Sequence, residues 1–384
     1  MRHAIACLGL LITLLCAPAF ARYELVTVAE PLAFPWGIAF LPAGELLVTE
    51  RTGTLRRIGA DGSIGAPLAG VPEVFVRGQG GLLVVALDPA FATNGLVYLS
   101  YAHGDARANA TRIARGRLTE AGLENLEVIF TIEPSKDTPQ HYGGSLAFMN
   151  DGTLLITTGD GFIYREAAQD RASMLGKTLR INADGSLPAD NPFADDPATA
   201  AVWTFGHRNP QGLAVNPQTG AVYQHEHGPR GGDELNRLLP GRNYGWPAVT
   251  FGLDYTGAHV SPYTALPDME PPLKYWVPSI APSGLAIYQG EAFPDWRGSL
   301  FVGALVDREV RRLTLADGTV VGEERLFGEL GERIRNVRVG PDGNLYLLTD
   351  SEQGKVVRVA PRAAAAQSIE SSNSPISSGV TRGP

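Results

Sequence analysis

The sequence predicts an all-β fold, a six-bladed β-propeller of four-stranded antiparallel blades, and three observations carry that expectation. A weak phrase recurs six times, roughly every 45 to 72 residues, the spacing expected when each repeat forms one sheet of a radial array. Tight-turn sequences separate the two apolar runs inside each copy. The runs themselves are short and rich in Val, Leu and Ile, as suits strands covered on both faces by neighbouring blades.

The copies follow in order. The first pairs Gly37–Phe40 with Glu45–Val48, and the second pairs Leu82–Val85 with Leu96–Leu99. The third runs from Gly144–Phe148 to Thr153–Ile156, and the fourth from Gly212–Val215 to Gly220–Tyr223. Gly284–Ile287 with Gly298–Val302, and Asn336–Val339 with Asn344–Leu348, complete the set. Between paired strands lie Asn150-Asp151-Gly152, Asn216-Pro217-Gln218-Thr219-Gly220 and Pro341-Asp342-Gly343-Asn344, which supply the positive and fixed φ values that tight hairpins need. Paired β-sandwiches or a β-helix would also use short strands, but the uneven long insertions argue against the helix. No amphipathic helical stretch of convincing length interrupts the pattern.

Three segments are expected. Residues 1–21 carry Arg2, an apolar run from Ala4 to Cys16 and an Ala19-x-Ala21 ending, the pattern of a secretory signal peptide cut after Ala21. The apolar run is too short to span a membrane. Residues 22–362 form the propeller, and 363–384, poor in apolar mass, read as a disordered tail. Both cysteines, Cys7 and Cys16, lie in the leader, so the mature chain has no thiol chemistry and no disulfide. Loss of Arg2 moves the formal charge from −8 to about −9, which gives no reason to expect nucleic acid or insertion into a membrane. A periplasmic or secreted location is the corresponding expectation.

In a propeller, residues just before each innermost strand collect on one rim, and the next strand returns to that rim. Gln79, His141-Tyr142, Arg208-Asn209, Pro282-Ser283, Arg333 and Arg335 occupy the first kind of position. Thr49-Glu50-Arg51, Asp160 and Glu226-His227-Gly228-Pro229 occupy the second. Propeller enzymes build sites at such channel mouths. His141 is the natural general base, because a neutral imidazole accepts a proton near neutral pH. Asp160, ending the next strand of the same blade, would orient it. Arg208, Arg333 and Arg335 suit a planar ligand bearing several carboxylates, since guanidinium forks bind carboxylates in pairs.

An oxygen-rich loop holds Glu226, His227, Asp233, Glu234 and Asn236. His225 and His227 leave a transition metal open, but carbonyls of Gly228 and Pro229 with nearby carboxylates favour calcium. Alternation of His225, Glu226 and His227 is also what plain strand pairing gives. Trp203, Trp246, Trp276 and Trp296 read as packing residues before they read as a sugar platform, with Trp276 the exception to watch. Asn109-Ala110-Thr111 matches a glycosylation sequon only weakly.

Several longer segments resemble the soluble quinoprotein sugar dehydrogenases, which use pyrroloquinoline quinone (PQQ) and calcium on a six-bladed propeller. They are Gly78-Gln79-Gly80-Gly81-Leu82, His141-Tyr142-Gly143-Gly144, Leu175-Gly176-Lys177-Thr178-Leu179-Arg180 and Gly206-His207-Arg208-Asn209-Pro210-Gln211-Gly212. The run from His225 to Asn236, then Asn243-Tyr244-Gly245-Trp246-Pro247, Ile280-Ala281-Pro282-Ser283-Gly284 and Arg333-Ile334-Arg335, continue the match in order along the body. The broad-specificity aldose branch is closer than the glucose-specific one.

The resemblance implies oxidation of an aldose at C1 to a lactone. His141 would abstract the anomeric hydroxyl proton with Asp160 behind it, and Arg208 would stabilise charge developing on the quinone. Gln79, Asn209, Arg333 and Arg335 would hold PQQ. Carbonyls of Gly228 and Pro229 would bind the catalytic calcium, while Glu234 and the Tyr244 carbonyl would bind a separate structural one. An aldose is the implied substrate, and the electron acceptor is not specified.

Two departures stand out. Where the family places a cofactor-contacting lysine, this chain has Val306, and loss of that fixed cation should weaken PQQ binding unless Arg308 reaches in or the alignment slips. The loop Phe162-Ile163-Tyr164-Arg165 also departs from the glucose-specific pattern, so sugar identity does not carry over. Two other readings stay open: a calcium-dependent hydrolase such as a lactonase, and a non-catalytic propeller that binds sugar or protein. The first would need a ring of Asp, Asn and Glu in the central channel, which the sequence does not display.

Overall fold

A computed structural model describes residues 23–362, so the expected leader and tail lie outside the described residues. Six four-stranded antiparallel sheets form the six-bladed propeller that the repeats predict. Blade one runs from Pro35–Phe40 to Ile64–Pro67, blade two from Leu82–Leu87 to Leu123–Thr131, and blade three from Leu146–Phe148 to Val202–Phe205. Blade four runs from Pro210–Val215 to Lys274–Trp276, and blade five from Pro282–Ile287 to Thr319–Leu326. In each, chain order is spatial order, so the first strand is the innermost and the second returns beside it.

Blade six departs from that order. Its three inner strands, Ile334–Val339, Leu345–Thr349 and Gly354–Pro361, are completed by Tyr23–Leu32 from the other end of the chain. Pairing Tyr23 with Pro361 closes the ring by hydrogen bonds. Tyr23 also packs edge-on against Phe327 at 4.8 Å, tying this strand to blade five.

Blade faces pack on one another, which explains the near-continuous apolar strands. Between blades one and six, Ile38, Leu46 and Val48 meet Leu348 and Val356. Between blades two and three, Leu83 and Tyr98 meet Leu146 and Ile156. Burying both faces of each sheet leaves alternation no role, so the strands read as short hydrophobic runs.

In five of the six blades the register between the first and second strand slips at the start of the inner strand, as between Pro35 and Gly37 and between Pro210 and Gly212. Such bulges re-aim residues at sheet ends. They fall on the rim where the polar residues collect.

Candidate active site

His141 enters the site from the loop before blade three's inner strand, in a left-handed backbone conformation with φ 52°. Gly159 is required below it, because a Cβ there would collide with the His141 carbonyl. The Gln79 side-chain oxygen accepts the His141 backbone N–H at 2.8 Å. The imidazole is almost fully buried, and its Nδ1 lies 2.6 Å from Asp160 Oδ1. An ionised carboxylate can only accept, so Nδ1 carries the proton and Nε2 keeps its lone pair for another molecule.

Asp160 is wholly buried and accepts three hydrogen bonds. Besides His141, Phe162 N donates to Oδ1 at 2.7 Å and Trp246 Nε1 donates to Oδ2 at 2.8 Å. Burial alone would push its pKa up. The His141 bond and charge, the Arg208 charge and the Phe162 amide outweigh that effect and hold the carboxyl below its ordinary range. For His141, burial is the largest influence and lowers the pKa; Asp160 opposes it, while Arg208 and Lys136 add to it. The net result is an imidazole that stays neutral into mildly acidic solution.

Arg208 stands on the neighbouring blade, its backbone N–H held by Glu226 and its carbonyl accepting the Asp160 N–H at 2.8 Å. Its guanidinium lies 5.3 Å from the Trp246 ring and donates to the Gly228 carbonyl at 2.6 Å. Asn209 Oδ1 receives the Gly143 amide at 3.3 Å, bracing the His141 loop.

Next to this group opens a cavity of about 410 Å³. Gln79, Asn209, Arg333 and Arg335 all line it, together with Arg51, Trp36, Asp350 and Val306. Arg335 lies over the Trp36 ring at 4.0 Å and reaches Asp350 at 3.0 Å, and Arg333 shares that carboxylate at 3.0 Å. Arg51 instead donates to the Gly78 carbonyl at 2.7 Å. Three guanidiniums therefore face the cavity against a single carboxylate. The buried Nε of Arg335 has no partner, a cost that an anionic ligand would relieve. An aromatic wall, an orphaned donor and surplus positive charge together fit a flat polycarboxylate such as PQQ.

Val306 lies at the cavity wall with 58% of its surface exposed, so the lysine position of the resembling family is apolar here. Arg308 is exposed and donates to the Gly331 carbonyl at 3.2 Å; it does not line the cavity.

The oxygen-rich loop sorts into distinct parts. Asp233 is saturated: it accepts from Gly228 N at 2.9 Å and from Ser279 Oγ, Ile280 N and Ala281 N at 2.7 to 3.0 Å. It pins the Gly228–Pro229 turn and does not offer itself as a ligand. His225 turns away to the Gly284 carbonyl at 3.1 Å, and among the described residues no three His, Cys, Asp or Glu side chains gather in a metal-binding arrangement. A site at the Gly228–Pro229 turn therefore depends on carbonyl oxygens.

Glu226 and Glu234 face each other directly on adjacent strands, and both are buried. Burial, then the Glu226 charge, pushes the Glu234 carboxyl well above its ordinary range. Asn236 offers only long contacts of 3.4 Å to either carboxylate, and its buried Oδ1 has no partner. Glu226, Glu234 and Tyr244 border a void of about 10 Å³, room for one ion. The facing carboxylates and the orphaned Asn236 oxygen suit a hard cation such as calcium, although Arg208 and His227 also border the void.

Several contributors escaped the sequence reading. Trp246 reads as packing but bonds Asp160; Trp203 and Trp296 are core residues, and Trp276 is buried with its N–H on Glu323. Asp350 directly follows blade six's second strand, one residue beyond Thr349, which holds the register place of Glu50 in blade one; the Thr-Asp pair after an apolar run, like Thr49-Glu50, was the available signal. Asn109 of the sequon is buried, with Oδ1 accepting from Lys136 and Tyr142 at 2.9 and 2.7 Å.

Comparison with known proteins places these features in a family. Residues 32–358 match the Glucose / Sorbosone dehydrogenase family. A crystal structure of a glucose dehydrogenase is 47% identical, covers 88% of this chain and 100% of its own, and superposes with a TM-score of 0.86. Aldose sugar dehydrogenase YliI of Escherichia coli is 41% identical over 90% of this chain and 94% of that protein. The PQQ-bound form of an aldose sugar dehydrogenase from Streptomyces coelicolor is 31% identical, covers 88% of this chain and 99% of its own, and gives a TM-score of 0.72. With nearly all of its described propeller matched, this chain belongs to the Glucose / Sorbosone dehydrogenase family.

Proposed function

We propose that this protein oxidises aldose sugars at C1 to lactones, with PQQ and calcium bound beside His141. The observation that carries the reading is the convergence of Arg51, Arg333 and Arg335 on a cavity with one carboxylate, adjacent to a buried His–Asp pair. The resemblance of relatives described as sugar dehydrogenases, one of them PQQ-bound, supports it.

When bound, PQQ supplies a two-electron acceptor for the hydrogen leaving C1 as hydride, and calcium a Lewis acid beside it. His141 Nε2 takes the anomeric hydroxyl proton, and the electrons of that O–H bond become the lactone C=O. Asp160 holds the ring and stabilises the imidazolium so formed. Arg208 places positive charge beside the reacting centre. Arg333, Arg335, Gln79 and Asn209 hold the cofactor in register. Gly228 and Pro229 offer carbonyls to the catalytic calcium, and Glu234 with the Tyr244 carbonyl offers a second, structural site.

A lactonase reading needs a metal held by side chains in the channel, and no observation favours it. Among the described residues no helix is long and apolar enough to cross a membrane; export to the periplasm rests on the leader pattern. Equilibrium titration with PQQ, with and without calcium, tests the cofactor assignment. Saturable quenching of Trp36 that is lost in Arg335→Ala supports it, and no binding at any PQQ concentration sinks it.

A further inference from the structure

We infer that Phe162 and Tyr255 form an aromatic platform that receives the pyranose ring of the substrate, an assignment that rests on sugar oxidation at His141. Phe162 follows Asp160 by two residues and holds φ 76°, a conformation that bulky side chains avoid. Its amide bond to Asp160 Oδ1, at 2.7 Å, keeps it there. Strain of this kind persists where the surroundings fix it, and it gathers at functional sites. Here it turns the ring outward, with 41% of the residue exposed, and sets it edge-to-face with His141 at 5.2 Å.

Tyr255 arrives from a separate element, the insertion between the third and fourth strands of blade four. It is 59% exposed, its hydroxyl accepts from Arg208 at 3.4 Å, and its ring lies 6.2 Å from Phe162 at 32°. Two exposed rings from two loops thus meet beside the site, one through its backbone N–H on Asp160 and the other through a long hydroxyl contact with Arg208. Neither ring lines the cavity of the three arginines; both stand beside His141 and Arg208, on the side from which a substrate reaches the base. Their chemistry selects that molecule. An aldopyranose has a face of ring C–H groups suited to aromatic surfaces and an edge of hydroxyls suited to His141 and Arg208. An acyclic polyol of the same composition lacks the fixed C–H face.

The test uses methyl β-D-glucopyranoside, whose blocked anomeric oxygen prevents oxidation, with an acyclic hexitol as control. Binding is followed by ligand-observed NMR on wild type, Phe162→Ala, Phe162→Tyr and Tyr255→Ala, with and without PQQ, after thermal melts show each variant folded. The platform predicts about tenfold weaker glycoside binding in Phe162→Ala and Tyr255→Ala, near-wild-type binding in Phe162→Tyr, and weak hexitol binding throughout. PQQ affinity should stay within about twofold of wild type in all three. Unchanged glycoside binding in Phe162→Ala overturns the assignment, as does a parallel fall in PQQ affinity, which would make the ring a cofactor wall. Failure of wild type to bind PQQ would instead sink the dehydrogenase reading, while the glycoside ratios measured without PQQ still decide the platform.

Discussion

Trp246 donates its indole N–H to Asp160 Oδ2 at 2.8 Å, linking an insertion of blade four to the carboxylate that holds His141. The insertion reaches the site because it follows blade three's outer edge, with Tyr244 N on Phe205 O at 2.8 Å and Trp246 N on Gly206 O at 2.9 Å. Trp246 also provides the ring beneath Arg208, so one side chain positions both charged partners of the base.

Trp246→Phe keeps the ring under Arg208 but strips one donor from a buried carboxylate. A hydrogen bond to a charged group contributes about 1.5–3 kcal/mol, so kcat should fall roughly ten- to a hundredfold with PQQ affinity little changed. Stopped-flow reduction and a PQQ titration check the two halves separately.

The pH profile follows from the neighbours of His141. The neutral imidazole is the active form, and burial lowers its pKa against the raising effect of Asp160. kcat/KM should therefore hold as pH falls through the ordinary histidine value and drop only below it. Asp160→Asn removes the raising influence, so the acid limb should move further down while the plateau falls about 10²- to 10⁴-fold. An acid limb that moves up would contradict this assignment.

Calcium should stabilise the fold in a pH-dependent way. Glu234 keeps its proton in the folded state to a higher pH than in the unfolded chain. The folded state thus binds more protons, and this group's contribution to stability is lost as pH rises above its unfolded value of 4.5. Calcium-free protein should lose more melting temperature between about pH 5 and pH 8 than Glu234→Gln does. Calcium at a hundredfold excess over Kd, worth about 2.7 kcal/mol per site, should raise the wild-type melting temperature at the higher pH and raise that of Glu234→Gln by less, since only the Gly228–Pro229 site remains in the variant. Equal calcium responses in the two proteins would remove Glu234 from the site.

Val306→Lys should tighten PQQ binding. A new charged hydrogen bond of about 1.5–3 kcal/mol corresponds to one to two decades in Kd. Fluorescence titration of both proteins measures it, and an unchanged Kd would mean that a lysine from position 306 does not reach the cofactor.

Much of the site was legible because propeller geometry is simple. Antiparallel pairing returns Asp160 to the rim that His141 leaves, and the same rule gathers Gln79, Asn209, Arg333 and Arg335 at the cavity and Arg208 beside Asp160. What stayed hidden comes from segments without a strand period. Trp246 and Tyr255 lie in an irregular insertion, and nothing in its spacing says which rim it visits. The closing strand Tyr23–Leu32 was also missed, because its half-exposed, polar-interrupted sequence lacks the apolar run of an inner strand. Asp233 was misleading: an acidic residue in a Gly-rich loop looks like a ligand, but four donors already occupy it.

Reconstitution of purified protein with PQQ and calcium, followed by dye reduction with a panel of aldoses and identification of the product by NMR, tests sugar oxidation at His141. Turnover should require both additions, yield the lactone, and disappear in His141→Ala although PQQ still binds. Turnover that persists in His141→Ala, or PQQ binding without oxidation of any aldose, would contradict this reading.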